Sequence, residues 1–327
     1  MLVRTILLPS IFRVNPEKSH AEYGMVIRFL QNLEKNGIVL VDDTDCILAY
    51  GEDIKKWPQK FRTKAQELLI ALRKKDRFVE KSLNDQVQAN CQNPQCQPYI
   101  RMAKIYLPPA IISRDHCNEC AAKELTKFSP IEVVDIAEYS ISNFDAHLNL
   151  NDYFFAKGEL TPREFEKKVL IPLLRDAKQV KIYDRYIGRS ILRKENANQY
   201  EFTIKWILDV FLRVRDSKLK GVFEVYGGLN TRSIPKHKKI QDAIDALRAL
   251  ETDCKQVHPH FKLIIKDETK GSEMPHDRFL FTNQVAVSFG CGFNLLFGNP
   301  SLLRDVKIDY FSDPGKIEQE VRNLPDL

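Results

Sequence analysis

Apolar and polar positions alternate along this chain in blocks that change period. VRTILLPSI near the start is a short β-rich run, while residues 20–36, HAEYGMVIRFLQNLEKN, repeat their apolar positions three and four apart and stop at Gly37. That spacing predicts a helix ended by glycine. GIVLVDDTDCILAYG then carries two apolar runs around Asp42, Asp43 and Asp45, a signal for a hairpin or a strand–turn–helix. Residues 63–76, TKAQELLIALRKKD, predict a second helix by period and propensity. Two polar, cysteine-bearing stretches follow, LNDQVQANCQNPQCQPYI and IYLPPAIISRDHCNEC, and the pattern from about 128 to 161 is less regular. The turn residues of NDYFFAKGELTPREF mark a boundary, which places two domains at 1–150 and 151–327.

The second domain alternates more regularly. Residues 162–176 predict a helix with Thr161 as N-cap, Pro162 in its first turn, and Phe165, Val169, Leu170, Leu173 and Leu174 on one face. VKIYDRYIG (180–188) is β-rich, 199–214 are helical in period, 221–230 end a strand in glycines, and 237–251 are helical again. FKLIIKD, RFLFTN, VAVSFG and KIDYFSD follow as strands, with a short helix last. Strands separated by helices at this spacing predict a layered α/β domain, its sheet mostly parallel with an antiparallel finish.

Composition narrows the class. The chain has 327 residues, 43% of them hydrophobic and 29% charged, so a full core is within reach without cross-links. No run approaches the length of a membrane span. Arg4, Pro9 and Arg13 interrupt the apolar start, which reads as a first strand and leads to an expectation of a cytoplasmic protein. The formal charge of +6 is compatible with a polyanionic partner. Seven cysteines in such a chain point to metal binding or reduced thiols, not to a disulfide framework.

Between His258 and Asn294 lie two candidate histidine motifs. His260-Phe261-Lys262 with Asp267 has an H-x-K-x4-D lettering, but its next Gly-Ser pair, Gly271-Ser272, comes after only three residues and no asparagine follows at the needed distance. On a strand, His260 and Lys262 share one face and Leu263 and Ile265 the other. His276-Asp277-Arg278 has fewer matching letters and complete spacing: four residues to Asn283, six to Gly290-Cys291, then two to Asn294. RFLFTN and VAVSF read as two short strands, with GCGFN as the turn after them.

This second stretch resembles the phosphodiesterase motif of the phospholipase D superfamily, with Arg278 for Lys, Asn283 for Asp and Cys291 for Ser. The HDR lettering is also similar to the phospholipase-D-like C-terminal domain of MIT-domain proteins, regarded as a binding module for membranes and partners. The resemblance spans roughly residues 155–320. It implies His276 as a nucleophile on phosphorus, Arg278 and Asn294 as holders of phosphoryl oxygens, and Asn283 as the acceptor that orients the imidazole. Gly290, Cys291 and Asp184, the last at a strand end, would border the substrate. With one motif per chain, a second histidine for the leaving group implies a homodimer with both His276 residues on one phosphate.

Cys91-x4-Cys96 and Cys117-x2-Cys120 form two pairs about twenty residues apart, the arrangement by which a loop supplies four ligands to a structural zinc. His116 is an alternative ligand within that loop of about 88–122. Asp42, Asp43 and Asp45 after GIVLV are candidates for Mg2+ chemistry. The strand–helix–strand order there is similar to that of PIN-like nucleases, and a solvated turn is the simpler reading. KHKK at 236–239 and LRKKDRFVEK at 72–81 are short basic runs, each a candidate phosphate contact or a solvated face.

The expectation is therefore a phospholipase-D-like α/β domain preceded by a smaller α/β domain with a zinc loop. The first functional reading is a metal-independent nucleic-acid phosphodiesterase acting as a homodimer. The alternatives are an inactive module that binds a phosphorylated, acidic or membrane partner, and metal-dependent nuclease chemistry in the first domain.

Overall fold

A computed structural model describes residues 2–14, 20–42, 44–83, 87, 96–114, 131–150, 152–193, 197–215, 221–233, 240–269, 273–290, 292–294 and 305–327. It is a mixed α/β structure with two sheets, and the chain divides into two compact units, Met1–Leu150 and Asn151–Leu327. No helix among the described residues is long and apolar enough to cross a membrane.

The first unit is built on strands β1 (Val3–Leu7), β2 (Gly37–Val41), β3 (Phe78–Glu80), β4 (Ala110–Ser113) and β5 (Glu132–Asp135). They lie in the order β3-β2-β1-β4-β5, and every neighbouring pair is parallel. A parallel sheet is covered on both faces, so its strands are apolar runs without alternation. GIVLV and AIIS are accordingly buried at every position. Helices α1 (His20–Asn36), α2 (Thr44–Lys55), α3 (Gln59–Lys74), α4 (Gln97–Tyr106) and α5 (Asn143–Leu148) complete the unit. The GIVLVDDTDCILAYG stretch resolves as strand then helix, β2 into α2.

Between α1 and β2 there is no loop at all. A Cβ on Gly37 would sit 2.1 Å from Leu33 Cδ2 and 3.0 Å from the Leu33 Cα and carbonyl oxygen, so a larger residue would crowd α1 at this turn. Arg77, 2% exposed, donates to the carbonyls of Gly37 at 2.8 Å and Lys35 at 3.1 Å, capping the negative end of α1. The basic run at 72–81 therefore does not offer all its charges to a partner. Arg77 serves the core, and Lys81, 8% exposed, lies over the Tyr106 ring.

The second unit holds β6 (Asp152–Phe155), β7 (Gln179–Tyr183), β8 (Val222–Leu229), β9 (Phe261–Asp267), β10 (Arg278–Thr282), β11 (Ala286–Phe289) and β12 (Val306–Tyr310). Their order is β6-β12-β11-β10-β7-β8-β9, with β7, β8 and β9 parallel and the remaining pairs antiparallel. Within the segment read as a boundary, residues 152–155 form the edge strand beside β12, so β7 is the second strand of this unit.

Helix α6 covers 162–174. It starts at Thr161 with a full capping box to Glu164 and passes through a π-turn at Glu166–Leu170. The cause is Pro172, which has no N–H for an α-type bond back into the preceding turn. Helices α7 (Tyr186–Arg193), α8 (Ala197–Val214), α9 (Ile240–Val257) and α10 (Pro314–Arg322) follow. The run VKIYDRYIG is thus split at Asp184 into the strand β7 and the start of α7. Alternation along β7 turns Val180 and Ile182 to one face and Lys181 and Tyr183 to the other. The Tyr183 face is packed with Phe279, Phe281 and Ala286 under Ile317, Val321 and Leu324.

Past α10 the chain returns to the sheet. Asp267 N–H donates to Pro325 O and Leu327 N–H to Ile265 O, both at 2.9 Å, with Lys266 bridged to Asp326. These last residues cover half of the free edge of β9.

Candidate functional site

Parallel β7, β8 and β9 all deliver their carboxyl ends to one edge of the second sheet. Antiparallel β10 begins at that edge, because Phe279 pairs with Tyr183, and β11 ends there, because Arg278 pairs with Phe289. The edge thus collects Asp184 after β7, Glu268 after β9, His276 and Arg278 at the entry to β10, and Gly290, Gly292, Phe293 and Asn294 after β11. Crevices of this kind are where open α/β sheets bind ligands.

Asp184 is the centre of the arrangement. It is fully buried; its Oδ1 accepts the Tyr186 N–H at 2.9 Å and its Oδ2 the Phe293 N–H at 2.8 Å. Burial pushes its carboxyl above the ordinary range, against the pull of those N–H groups, Arg278 and the Tyr200 hydroxyl. Its role is to hold the α7 start and the 292–294 turn together, so it shapes the cleft from behind. A Cβ on Gly292 would lie 2.6 Å from Tyr200 Oη and 2.9 Å from Asn294 Oδ1, so a side chain there would push these groups aside. Asn294, 3% exposed, donates to Gln199 Oε1 at 3.3 Å.

Arg278 has its Nε 4.0 Å from Asp184 Oδ1 and its guanidinium carbon 4.8 Å from the centre of the Tyr186 ring. The Nε is buried and has no hydrogen-bond partner among the described residues. Stacking on Tyr186 and the pull of Asp184 thus hold a cation that makes no hydrogen bond among the described residues.

His276 is 72% exposed in its side chain. Its Nε2 is 3.1 Å from Arg185 Nη1 and its Nδ1 3.4 Å from Tyr186 Oη. A guanidinium can only donate, so Nε2 is the acceptor in this contact. Arg185 in turn binds Glu268 at 2.9 Å and Glu273 at 2.7 Å, and its hydrogen bond holds the Glu273 carboxyl below the usual value. His276 Nε2 is therefore engaged by a cation that two carboxylates pin in place.

Asn283 does not orient His276. It follows Thr282 at the other end of β10, about 17 Å along the strand from Arg278 at the usual rise. Its Oδ1 accepts the N–H groups of Lys178 at 2.7 Å and Gln179 at 3.2 Å. Five residues of extended strand separate the two positions, so the motif interval carries a hairpin anchor at this point and no acceptor for the imidazole. Asn283→Ala is expected to lower stability by about 1–2 kcal/mol in urea unfolding, through two orphaned N–H groups. Ligand affinity at Arg278 stays unchanged.

The first motif lies elsewhere. Phe261 and Lys262 open β9, so they sit at the opposite edge of the sheet, where Lys262 pairs with Glu224 at 3.3 Å. Of the remaining sequence candidates, Cys91, Cys117, Cys120, His116, Asp43, Cys291, Gly271, Ser272 and residues 236–239 lie outside the described residues, as do the side chains of Asp45 and Cys46. Cys96 is half-buried at the start of α4. At the carboxyl edge of the first sheet Arg114 N–H donates to Ser10 Oγ at 3.2 Å, and the Arg114 guanidinium pairs with Glu22. No group of three metal-ligating side chains occurs among the described residues.

Sequence reasoning missed Arg185 as the partner of His276, and Glu268, Glu273 and Tyr200 altogether. Glu268 carried one usable signal, its position just past a strand end. Tyr200 carried none, because α8 brings it in from afar. No family model matches the chain, and no curated protein matches it in sequence.

Proposed function

We propose that the second unit is a phospholipase-D-like binding module that receives a phosphodiester in the cleft between Arg278 and His276, with nucleic acid as the source of that group. The observation that carries this reading is Arg278. Its guanidinium is held by Tyr186 and Asp184 and makes no hydrogen bond among the described residues, which leaves its fork to grip phosphate oxygens. The excess of six positive charges supports a polyanionic partner. The motif spacing from His276 to Asn294 supports the phospholipase-D-like assignment. In this reading His276 contacts the ligand, and Arg185 holds its imidazole in place.

Fluorescence anisotropy with a labelled single-stranded oligonucleotide tests it. Binding is expected to weaken with salt, to fall about tenfold or more in Arg278→Ala, and to leave the oligonucleotide intact. Absence of binding at low salt sinks the proposal. The exposure of His276 keeps one other reading in play, a homodimeric phosphodiesterase with both His276 side chains on one phosphate. EDTA-resistant cleavage that disappears in His276→Ala would establish it instead. The zinc loop of Cys91, Cys96, Cys117 and Cys120 is part of the same proposal, checked by metal content before and after Cys117→Ser.

A further inference from the structure

On the sheet face beneath α10, apart from the cleft at the strand ends, a cavity of about 210 Å3 opens between β7, β8, β9 and α10. Tyr183 and Tyr226 form its floor. They are register partners on β7 and β8, with ring centres 4.7 Å apart and planes within 10°. The Tyr226 hydroxyl donates to Glu224 at 3.0 Å. The Tyr183 hydroxyl has no hydrogen-bond partner among the described residues, although the residue is only 3% exposed. The residue borders the cavity and its hydroxyl is not sealed from water, so it is a donor that an occupant of the cavity can take up. Burial also holds it well above its ordinary value, so it remains an O–H donor at any working pH.

The cavity wall adds donors in excess. Lys181 spends one ammonium hydrogen on Glu318 at 2.6 Å. Lys266 spends two, on Asp326 at 2.6 Å and Leu324 O at 3.0 Å. An ammonium has three hydrogens, so both lysines retain one or more. Arg322 also borders the cavity and has no ion pair or hydrogen bond among the described residues. Three cations thus face two carboxylates on the cavity walls, and the Glu224 carboxylate behind the Tyr226 hydroxyl is paired with Lys262. The two Lys–carboxylate pairs are already formed, so a ligand would find these walls set.

We propose that this cavity binds a small oxyanion, a phosphate or carboxylate group, through Arg322 and the Tyr183 hydroxyl, with Lys181 and Lys266 flanking it. The size suits a free anion or a compact metabolite bearing one such group, and not a polymer strand. The site shares no residue with the Arg278 cleft.

The test is an NMR titration of the full chain, carrying ring-labelled tyrosine and Nε-labelled arginine, with inorganic phosphate and separately with acetate. Saturable shifts of Tyr183 and Arg322 are expected in at least one of the two, and the anion that saturates at lower concentration identifies the group. Arg322→Gln should weaken that binding about tenfold. Tyr183→Phe, which keeps the ring stack, should weaken it by about threefold to tenfold. Arg278→Ala should leave it unchanged. The proposal is overturned if neither anion shifts Tyr183, if binding survives both cavity variants, or if it is lost in Arg278→Ala alone.

Discussion

Asp184→Ala is expected to destabilise the second unit by about 3–5 kcal/mol. The carboxylate takes the N–H groups of Tyr186 and Phe293 and lies beside Arg278 in a place that water does not reach. Alanine leaves these donors, and the Tyr200 hydroxyl, facing an apolar methyl. Each buried donor so orphaned costs about 1–3 kcal/mol. The chain has two tryptophans, and they fall one in each unit: Trp57 donates to Phe12 O in the first, and Trp206 donates to Glu166 in the second. In urea unfolding the Trp206 transition should therefore move to lower denaturant while the Trp57 transition stays. Equal movement of both would contradict the assignment of Asp184 to the architecture of its own unit.

The conservative variant adds a pH signature. Burial raises the Asp184 carboxyl above its ordinary value of 3.8, so the folded state holds the proton more tightly than the unfolded state. Stability from such a group is fully present below the unfolded value and is lost as pH rises through the folded one. The advantage of the parent over Asp184→Asn should be greatest below about pH 4 and should narrow as pH rises. A gap that widens with pH would mean that the N–H groups and Arg278 outweigh burial.

Gly188→Val should cost about 3 kcal/mol or more, although valine is the better helix former. A Cβ at position 188 would lie 2.6 Å from the carbonyl oxygen of Gly228 and 3.3 Å from its carbon. Backbone cannot rotate out of the way as a side chain would. The helix α7 presses on β8 where that strand has two successive glycines, and a Cβ on Gly227 would meet Ile187 Cβ at 3.2 Å and Gly188 N at 3.3 Å. The contact is sealed by the Gly228 N–H donating to Arg185 O at 3.1 Å. Lifting α7 also shifts Arg185 and Tyr186, the two side chains that hold His276. The variant should thus show a lower Trp206 transition together with a changed His276 ring signal in NMR. A stable protein with an unmoved His276 would show that α7 does not position the site.

What the chain disclosed on inspection follows from the range of each interaction. The helix α1 and the strand FKLIIKD were legible to the residue, because glycine and period mark them locally. The segment at 152–155 was read as a boundary, since an edge strand of four residues paired with positions 306–309 has no local signature. Pro172 was in plain view, and it deforms α6 into a π-turn without ending it, because Leu173 and Leu174 still bury the same face. At the site, spacing brought His276, Arg278 and Asn294 to one edge of the sheet and carried Asn283 to the far one. Spacing says nothing of what an imidazole nitrogen touches. The Arg185–Glu268–Glu273 group assembles from two separate connections, after β7 and after β9, and only the folded sheet reveals that it meets His276.

Both borders of the second sheet depend on its last stretch of chain. β12 supplies the partner of β6, and residues 325–327 shield β9. During synthesis, then, the strands from 152 to 289 emerge well before the segments that complete their margins. Until those segments arrive the nascent sheet has two open edges, each a template for another chain. A chain released early, for instance after residue 304, would retain the whole His276–Asn294 motif and both unguarded edges, and would be expected to aggregate before it could bind anything.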